Sequence, residues 1–241
     1  NENLSEDLRA MVDRASDTAE ENNFLHWPIE YPSVYQEGGF DCILGNPPWD
    51  RVSLEAVEFF AVSAPEVANA ETKSKRLDLI DELEEKDPEL YEEWKQEVQR
   101  IDQQTKFFKQ SGRYPESSKG YVNTYALFAG FATDNVSPQG RSGLLTPTGI
   151  ATDSSTQDFF RKLVEDQRLD SLFGFENKNR IFQDVHGQFN FCLLVIAGEG
   201  LSQTHFDLCF NLTEIDQLYD SERKYQLSKK DISLINPNTK N

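Results

Sequence analysis

The sequence predicts an open α/β sheet carrying an inserted helical hairpin, and three observations point there. The run Gly39-Phe40-Asp41-Cys42-Ile43-Leu44 has strand character and stops at Gly45, where Asn46-Pro47-Pro48-Trp49 follows; neither a strand nor a helix continues through two adjacent prolines. Further strand-type runs, Ser142 to Thr146, Leu169 to Glu176 and Gln188 to Ile196, alternate with helical patterns from about Lys119 to Asn135 and from Ser154 to Asp166. Between Glu66 and about Gln110 the chain is mostly charged, yet Leu77, Ile80, Leu83, Leu90, Trp94, Val98, Ile101 and Phe108 recur every three or four residues.

Taken in order, Asn3 to about Glu21 carries Leu4, Leu8, Met11, Val12 and Ala15 at helical spacing, with Ser5 as a cap and Asn22-Asn23 as its close. Phe24 to Tyr35 is rich in aromatics and proline and reads as an extended segment packed on the sheet. Arg51 to Phe60 reads as a short helix. Asp87-Pro88 splits the charged stretch into two helices, a hairpin inserted after the Asn46–Trp49 loop. It reads as a solvated structural insertion, with Lys73, Lys75, Arg76, Lys106 and Lys109 leaving a DNA-contacting arm as the alternative. Ser111-Gly112-Arg113-Tyr114-Pro115 and Pro138-Gln139-Gly140-Arg141 read as turns, and Thr152 or Asp153 caps the helix from Ser154. Past Gly200 the signal fades: His205 to Asn211 alternates like a strand, Thr213 to Tyr219 reads as a short helix, and Lys229 to Asn241 as a connector. Asn236-Pro237-Asn238-Thr239 carries no terminating element, so the chain reads as cut from something longer.

Composition narrows the class. A chain of 241 residues with 37% apolar content can bury one good-sized core. No apolar run is long enough to span a bilayer and no basic segment precedes an apolar one at the start, so the expectation is a cytoplasmic protein without a membrane partner. Cys42, Cys192 and Cys209 lack metal-ligand or paired spacing and read as buried, reduced thiols. His26, His186 and His205 are scattered, so no metal site is expected.

The loop after the first strand carries the chemistry. Proline fixes φ and biases the preceding residue toward extended geometry, so Asn46 and Pro47 project their polar groups from the carboxyl end of a strand in a nearly fixed direction. In open α/β sheets that edge is where ligands bind. The Asn46 side chain offers a carbonyl acceptor, Pro47 a backbone carbonyl, and Trp49 a broad ring. Two acceptors beside a stacking surface suit a planar group with an exocyclic amine, whose nitrogen lone pair is freed for attack when both hydrogens are held.

Asn-Pro-Pro-Trp after a hydrophobic strand resembles the catalytic motif of amino-methyltransferases acting on DNA adenine N6. The approach His26-Trp27-Pro28-Ile29-Glu30-Tyr31-Pro32 through Gly39-Phe40-Asp41 is similar to the large restriction-modification and phage-defence branch of that group, which includes the Eco57I-like enzymes. The resemblance implies a Rossmann-like sheet, S-adenosyl-L-methionine as methyl donor, and DNA with its target adenine flipped out. It implies catalytic roles for Asn46, Pro47, Pro48 and Trp49. Asn123-Thr124-Tyr125 with Phe128 resembles the motif that follows the catalytic loop, which would put Phe128 against the adenine ring of the cofactor and Asn123 and Tyr125 near the active-site floor. Gly140-Arg141 to Pro147 resembles the fifth strand of the methyltransferase sheet. The strand beginning Gln188-Phe189-Asn190-Phe191 resembles the late motif that sets a ring against the extruded base, and Phe189 is preferred over Phe191 because it lies nearer the strand start. Considered without the resemblance, these aromatics are also at ordinary core spacing.

Two features stand against a complete enzyme. The methyltransferase sheet needs a glycine loop after its first strand and an acidic residue after its second, and the forty or so residues before Phe40 contain no Gly-x-Gly. The chain is therefore expected to cover the sheet from its fourth strand onward, with cofactor-loop and target-recognition regions outside it. That leaves residues 1–23 as an N-terminal helix, 24–64 and 111–200 as the catalytic part, 65–110 as the helical insertion and 201–241 as a C-terminal extension. A fourth strand without its first-strand partner presents an open edge, which predicts self-association or a covered edge. The net charge of −18 also needs a reason, because duplex binders cluster Lys and Arg against phosphates. Either DNA is gripped by a part outside this chain or the acidity is an adaptation to salt. Methylation of a protein glutamine amide, and a non-catalytic scaffold, are the alternative functions; the first suits the charge, although such enzymes usually have Tyr where this chain has Trp49.

Overall fold

The computed structural model describes residues 5–235; Leu4 and the Asn236–Thr239 stretch lie outside them. The chain runs α1 (Glu6–Glu21), α2 (Trp27–Glu30), α3 (Pro32–Gln36), β1 (Phe40–Gly45), α4 (Ala56–Ser63), α5 (Pro65–Ala68), α6 (Lys73–Lys86), α7 (Pro88–Gln110), α8 (Thr124–Asn135), β2 (Val136–Pro147), α9 (Gly149–Thr152), α10 (Gln157–Glu165), β3 (Leu169–Glu176), β4 (Asn190–Ala197), β5 (His205–Leu212), β6 (Tyr225–Ser228) and α11 (Lys229–Ile235). It is a mixed α/β fold around an open six-stranded sheet in the order β1-β2-β4-β3-β5-β6. The β1–β2 and β3–β5 pairs are parallel, while β4 runs antiparallel to both neighbours. An antiparallel β4 needs only a loop to return from β3, and residues 177–189 supply it.

Three of the helix starts follow from capping chemistry. Ser5 Oγ accepts from Leu8 N–H at 3.4 Å, Thr72 Oγ1 from Lys75 N–H at 3.2 Å, and Asp87 Oδ1 from Leu90 N–H at 3.2 Å, so Asp87-Pro88 divides the charged stretch where the sequence indicated. Residues 24–35 are not extended: Pro28 and Pro32 each occupy the first turn of a short helix, where a missing N–H costs nothing. Trp27 stacks on Tyr31 and meets Phe40 and Phe131, tying that elbow to β1 and α8. The anticipated turn at Pro138–Arg141 is instead a bulge inside β2. The register jumps from Phe40↔Val136 to Cys42↔Arg141, and Gly140 fits only because it has no Cβ, which would lie 2.7 Å from the carbonyl oxygens of Phe40 and Asp41. Gly39, immediately before β1, has φ +119°, a conformation that L side chains rarely adopt. The helix after α9 starts at Gln157, later than the sequence suggested; the Thr156 hydroxyl donates to the Gly149 and Asp153 carbonyls and so joins the two helices. Residues 229–235, read as connector, form α11, and Tyr225–Ser228 just before them form β6.

The main core lies between the sheet and α8, α9 and α10. It contains Tyr125, Ala129, Ile150, Phe159, Phe160, Leu163, Leu194 and Ile196, all nearly inaccessible. A second cluster, Phe60, Val67, Ile80, Leu83 and Leu90 with Trp94 against it, holds α4 to α7 together. A third, Phe175, Phe191, Cys209 and Leu212, lies beneath the loop after β3. Cys192 and Cys209 are buried, whereas Cys42 is exposed on β1, because that strand pairs on one side only and its outward side chains meet no second layer. No helix of the described residues is long and apolar enough to cross a membrane.

Candidate active site

β1 delivers Gly45 to the carboxyl end of the sheet, and Asn46–Trp49 turns away from it. The turn is bolted to the start of α8. Val52 N–H donates to Val122 O at 2.9 Å, Thr124 N–H to Asp50 O at 2.9 Å, and Arg51 bridges Asn123. The Thr124 hydroxyl donates to both Pro48 O at 2.7 Å and Asp50 O at 2.9 Å. Trp49 is half-buried, wedged against the main and third clusters, and its indole N–H donates to Leu145 O at 3.3 Å. These contacts leave the two groups that matter free: among the described residues neither the Asn46 amide nor the Pro47 carbonyl has a hydrogen-bond partner. Asn46 is exposed, and it lines an open cavity of about 300 Å³ with Pro47, Pro48, Trp49, Leu145, Phe182 and Val185.

The remaining anticipated site residues lie elsewhere. Phe191 is 4% exposed, stacked on Phe175 with the rings 5.1 Å apart and nearly parallel, and forms part of the core. Phe189 is 53% exposed, and its ring does not line the cavity. Phe182, which the sequence reading passed over, supplies the second aromatic wall; it meets Phe191 edge-on at 5.1 Å. The signal for it was present: an Ile-Phe pair in an otherwise polar loop, Asn177 to Gln188, has no reason to be apolar unless it covers something.

Asn123 and Tyr125 form a polar knot at the start of α8. Asn123 Nδ2 faces the Tyr125 hydroxyl at 3.3 Å and the Ser155 hydroxyl at 3.4 Å. Tyr125 is 4% exposed, and burial first, then the nearby Asp153 charge, pushes its phenol up to about 12. Phe128, one turn on, keeps its ring 48% exposed. None of the three lines the cavity. Taken together, the exposed Asn46, the buried Pro47 and the side chains of Trp49 and Phe182 line one open cavity whose lining carries no charged or nucleophilic side chain.

Residues 1–79 match the family model of Eco57I restriction-modification methylases. No curated protein matches the chain. Among solved structures, the ATP-dependent Type ISP restriction-modification enzyme LlaBIII bound to DNA is similar at 10% identity with a TM-score of 0.42, over 82% of this chain and 12% of that one. The type IIG restriction endonuclease BpuSI is similar at 16% identity and TM-score 0.41, over 54% and 17%. The type I restriction-modification methyltransferase subunit from Streptococcus thermophilus is similar at 14% identity and TM-score 0.41, over 56% and 33%. The chain thus spans between an eighth and a third of the length of these proteins.

Proposed function

We propose that this chain forms the acceptor half of a DNA methyltransferase that transfers a methyl group from S-adenosyl-L-methionine to N6 of adenine, within a restriction-modification or phage-defence enzyme. The observation that carries the reading is the open cavity that Asn46 and Pro47 line together with Trp49 and Phe182. The match of residues 1–79 to a restriction-modification methylase pattern supports it.

An adenine inside a duplex cannot reach this cavity, so it must be extruded at a cost of about a few kcal/mol. Stacking on Trp49 and Phe182 returns about 1–3 kcal/mol per base. The Asn46 side-chain oxygen and Pro47 oxygen each accept one hydrogen of the exocyclic amine, which turns its lone pair outward. The cofactor, when bound, supplies the electrophilic methyl on its sulfonium. With a methyl donor bound, Asn46 and Pro47 would hold the amine nitrogen in line for the transfer, and its surplus proton would pass to solvent once the methyl is attached. Of this chain's residues, Phe128 is the exposed ring that would face the cofactor, while Asn123 and Tyr125 sit behind it. No Gly-x-Gly precedes Phe40, so the share of the chemistry that these residues carry is holding and orienting the acceptor.

In the full-length protein, Asn46→Ala should lower methylation of unmethylated genomic DNA by about a hundredfold or more, a barrier increase of roughly 2.7 kcal/mol, with the far-ultraviolet circular dichroism unchanged. Methylation at the wild-type rate would remove Asn46 from this role. The charge of −18 favours one other reading, a protein glutamine acceptor. The same assay with protein in place of DNA decides between them.

A further inference from the structure

Asn177 is the first residue after β3 and is wholly buried, at 0% exposure. Its amide faces into the loop that follows. Nδ2 donates to the carbonyls of Phe182 at 3.0 Å and Val185 at 2.8 Å, while Oδ1 accepts from the Phe182 N–H at 3.0 Å. Its main chain closes the same loop: Asn177 N–H donates to Phe189 O at 3.0 Å, and Arg180 N–H to Asn177 O at 2.9 Å, with Arg180 turned through φ +52°. Phe182 and Val185 are the two members of this loop that line the Asn46 cavity. A single side chain therefore holds the backbone at both points from which the cavity wall is built.

We infer that Asn177 is the positioning residue of the acceptor site: it fixes the Phe182 ring in place before a base arrives. The inference rests on the acceptor-site reading above. Asparagine suits the task because one amide both accepts and donates twice; a carboxylate in its place accepts only, and an alanine does neither. The residues from Ile181 to Gln188 form no helix or strand, so their backbone groups depend on this bracket. With the bracket intact, the ordering of the wall is completed at folding. Without it, the wall must be ordered each time a base enters, and the loss falls on turnover rather than on duplex binding.

The test uses the full-length protein, unmethylated genomic DNA and isotopically labelled S-adenosylmethionine. Asn177→Asp and Asn177→Ala should each lower kcat by about tenfold or more, leave KM for DNA within about twofold, and keep a cooperative melt. Lowering the pH should restore part of the Asn177→Asp activity and none of the Asn177→Ala activity, because a buried carboxyl that takes up a proton regains one donor. Wild-type kcat in either variant, or kcat and KM changing together, would overturn the inference. Should the variants not fold, hydrogen exchange on the wild-type protein settles it. The Phe182 amide must be protected without DNA, and exchange as fast as in open loops refutes a preformed wall. If the wild-type protein transfers no methyl to DNA, the functional reading fails, while the exchange experiment still tests the bracket.

Discussion

At the scale of single residues, the turn Asn46–Trp49 was legible because covalent geometry fixes it: two prolines after a strand leave Asn46 and Trp49 few directions to take. The opposing ring was not legible. Which of Phe182, Phe189 and Phe191 faces the cavity depends on how a thirteen-residue loop closes, and that is decided by the Asn177 hydrogen bonds, which leave no periodic trace in the sequence. Cys42 was misplaced for a related reason, since strand character says nothing about whether a strand lies at an edge. Its exposure predicts that a thiol reagent will modify Cys42 rapidly in the native protein and Cys192 and Cys209 only on unfolding; three equally fast thiols would contradict the buried placement. Burial lifts the Cys192 thiol from 9.0 up to about 12, and with the Asp153 charge it lifts the Tyr125 phenol from 10.0 up to about 12. Both groups are neutral when protonated, and the unfolded chain gives up these protons first. Above their ordinary values the unfolded state thus binds fewer protons than the native one. Stability from these groups is complete below pH 9 and is lost as the pH rises toward 12. Urea midpoints should therefore stay level through the neutral range and drop in strong alkali, and a midpoint still level above pH 11 would mean the two side chains reach solvent.

At the scale of elements, the hairpin α6–α7 was legible because its apolar residues recur every three or four positions and Thr72, Asp87 and Pro88 mark its helix starts; α10 was legible from its one-sided apolar face, whereas α8 is apolar nearly all round and shows only as an apolar run. The bulge in β2 was read as a turn because Pro-x-Gly signals both; only the approach of β1 to Gly140 distinguishes them. Strand β6 and helix α11 are short, and their fixing contacts come from β5, which local pattern cannot show. Hydrogen bonds join the start of α8 to the turn that follows β1. Thr124→Val removes a hydroxyl that serves the Pro48 and Asp50 carbonyls. It should cost about 1 kcal/mol of stability and lower methylation more than the melting temperature suggests, with Thr124→Ser restoring both. Equal activity in the valine variant would show that the prolines alone hold the turn. By contrast Leu163→Ala, in the main core at 2% exposure, should cost about 2–5 kcal/mol without a specific effect on transfer per folded molecule.

At the scale of the whole molecule, two features stand out: an open edge and a large negative charge. β1 pairs with β2 alone, and Leu44 on it is 85% exposed. Unpaired strand edges with apolar side chains recruit further strands. We therefore propose that this chain self-associates through β1 and expect Leu44→Lys to shift sedimentation toward the monomer; an unchanged distribution would place any association elsewhere. The charge acts differently. With 42 acidic against 24 basic residues, the 18 surplus carboxylates have no cation to meet. Ion pairs such as Lys86–Glu82 at 2.6 Å and Lys162–Asp166 at 2.9 Å lie on exposed helix faces one turn apart, where solvent screens them and each contributes little. The surplus negative charge repels itself more strongly in the compact state than in the unfolded chain. Salt shortens the range of that repulsion from about 10 Å at 0.1 M to about 3 Å at 1 M, while the local pairs it also weakens are few and weak. The repulsive term is the larger, so the melting temperature should rise as potassium chloride is raised from about 0.1 M to about 1 M. A melting temperature that falls over that range would mean that specific ion pairs outweigh net repulsion, and the acidity would then need an explanation in a basic partner rather than in salt.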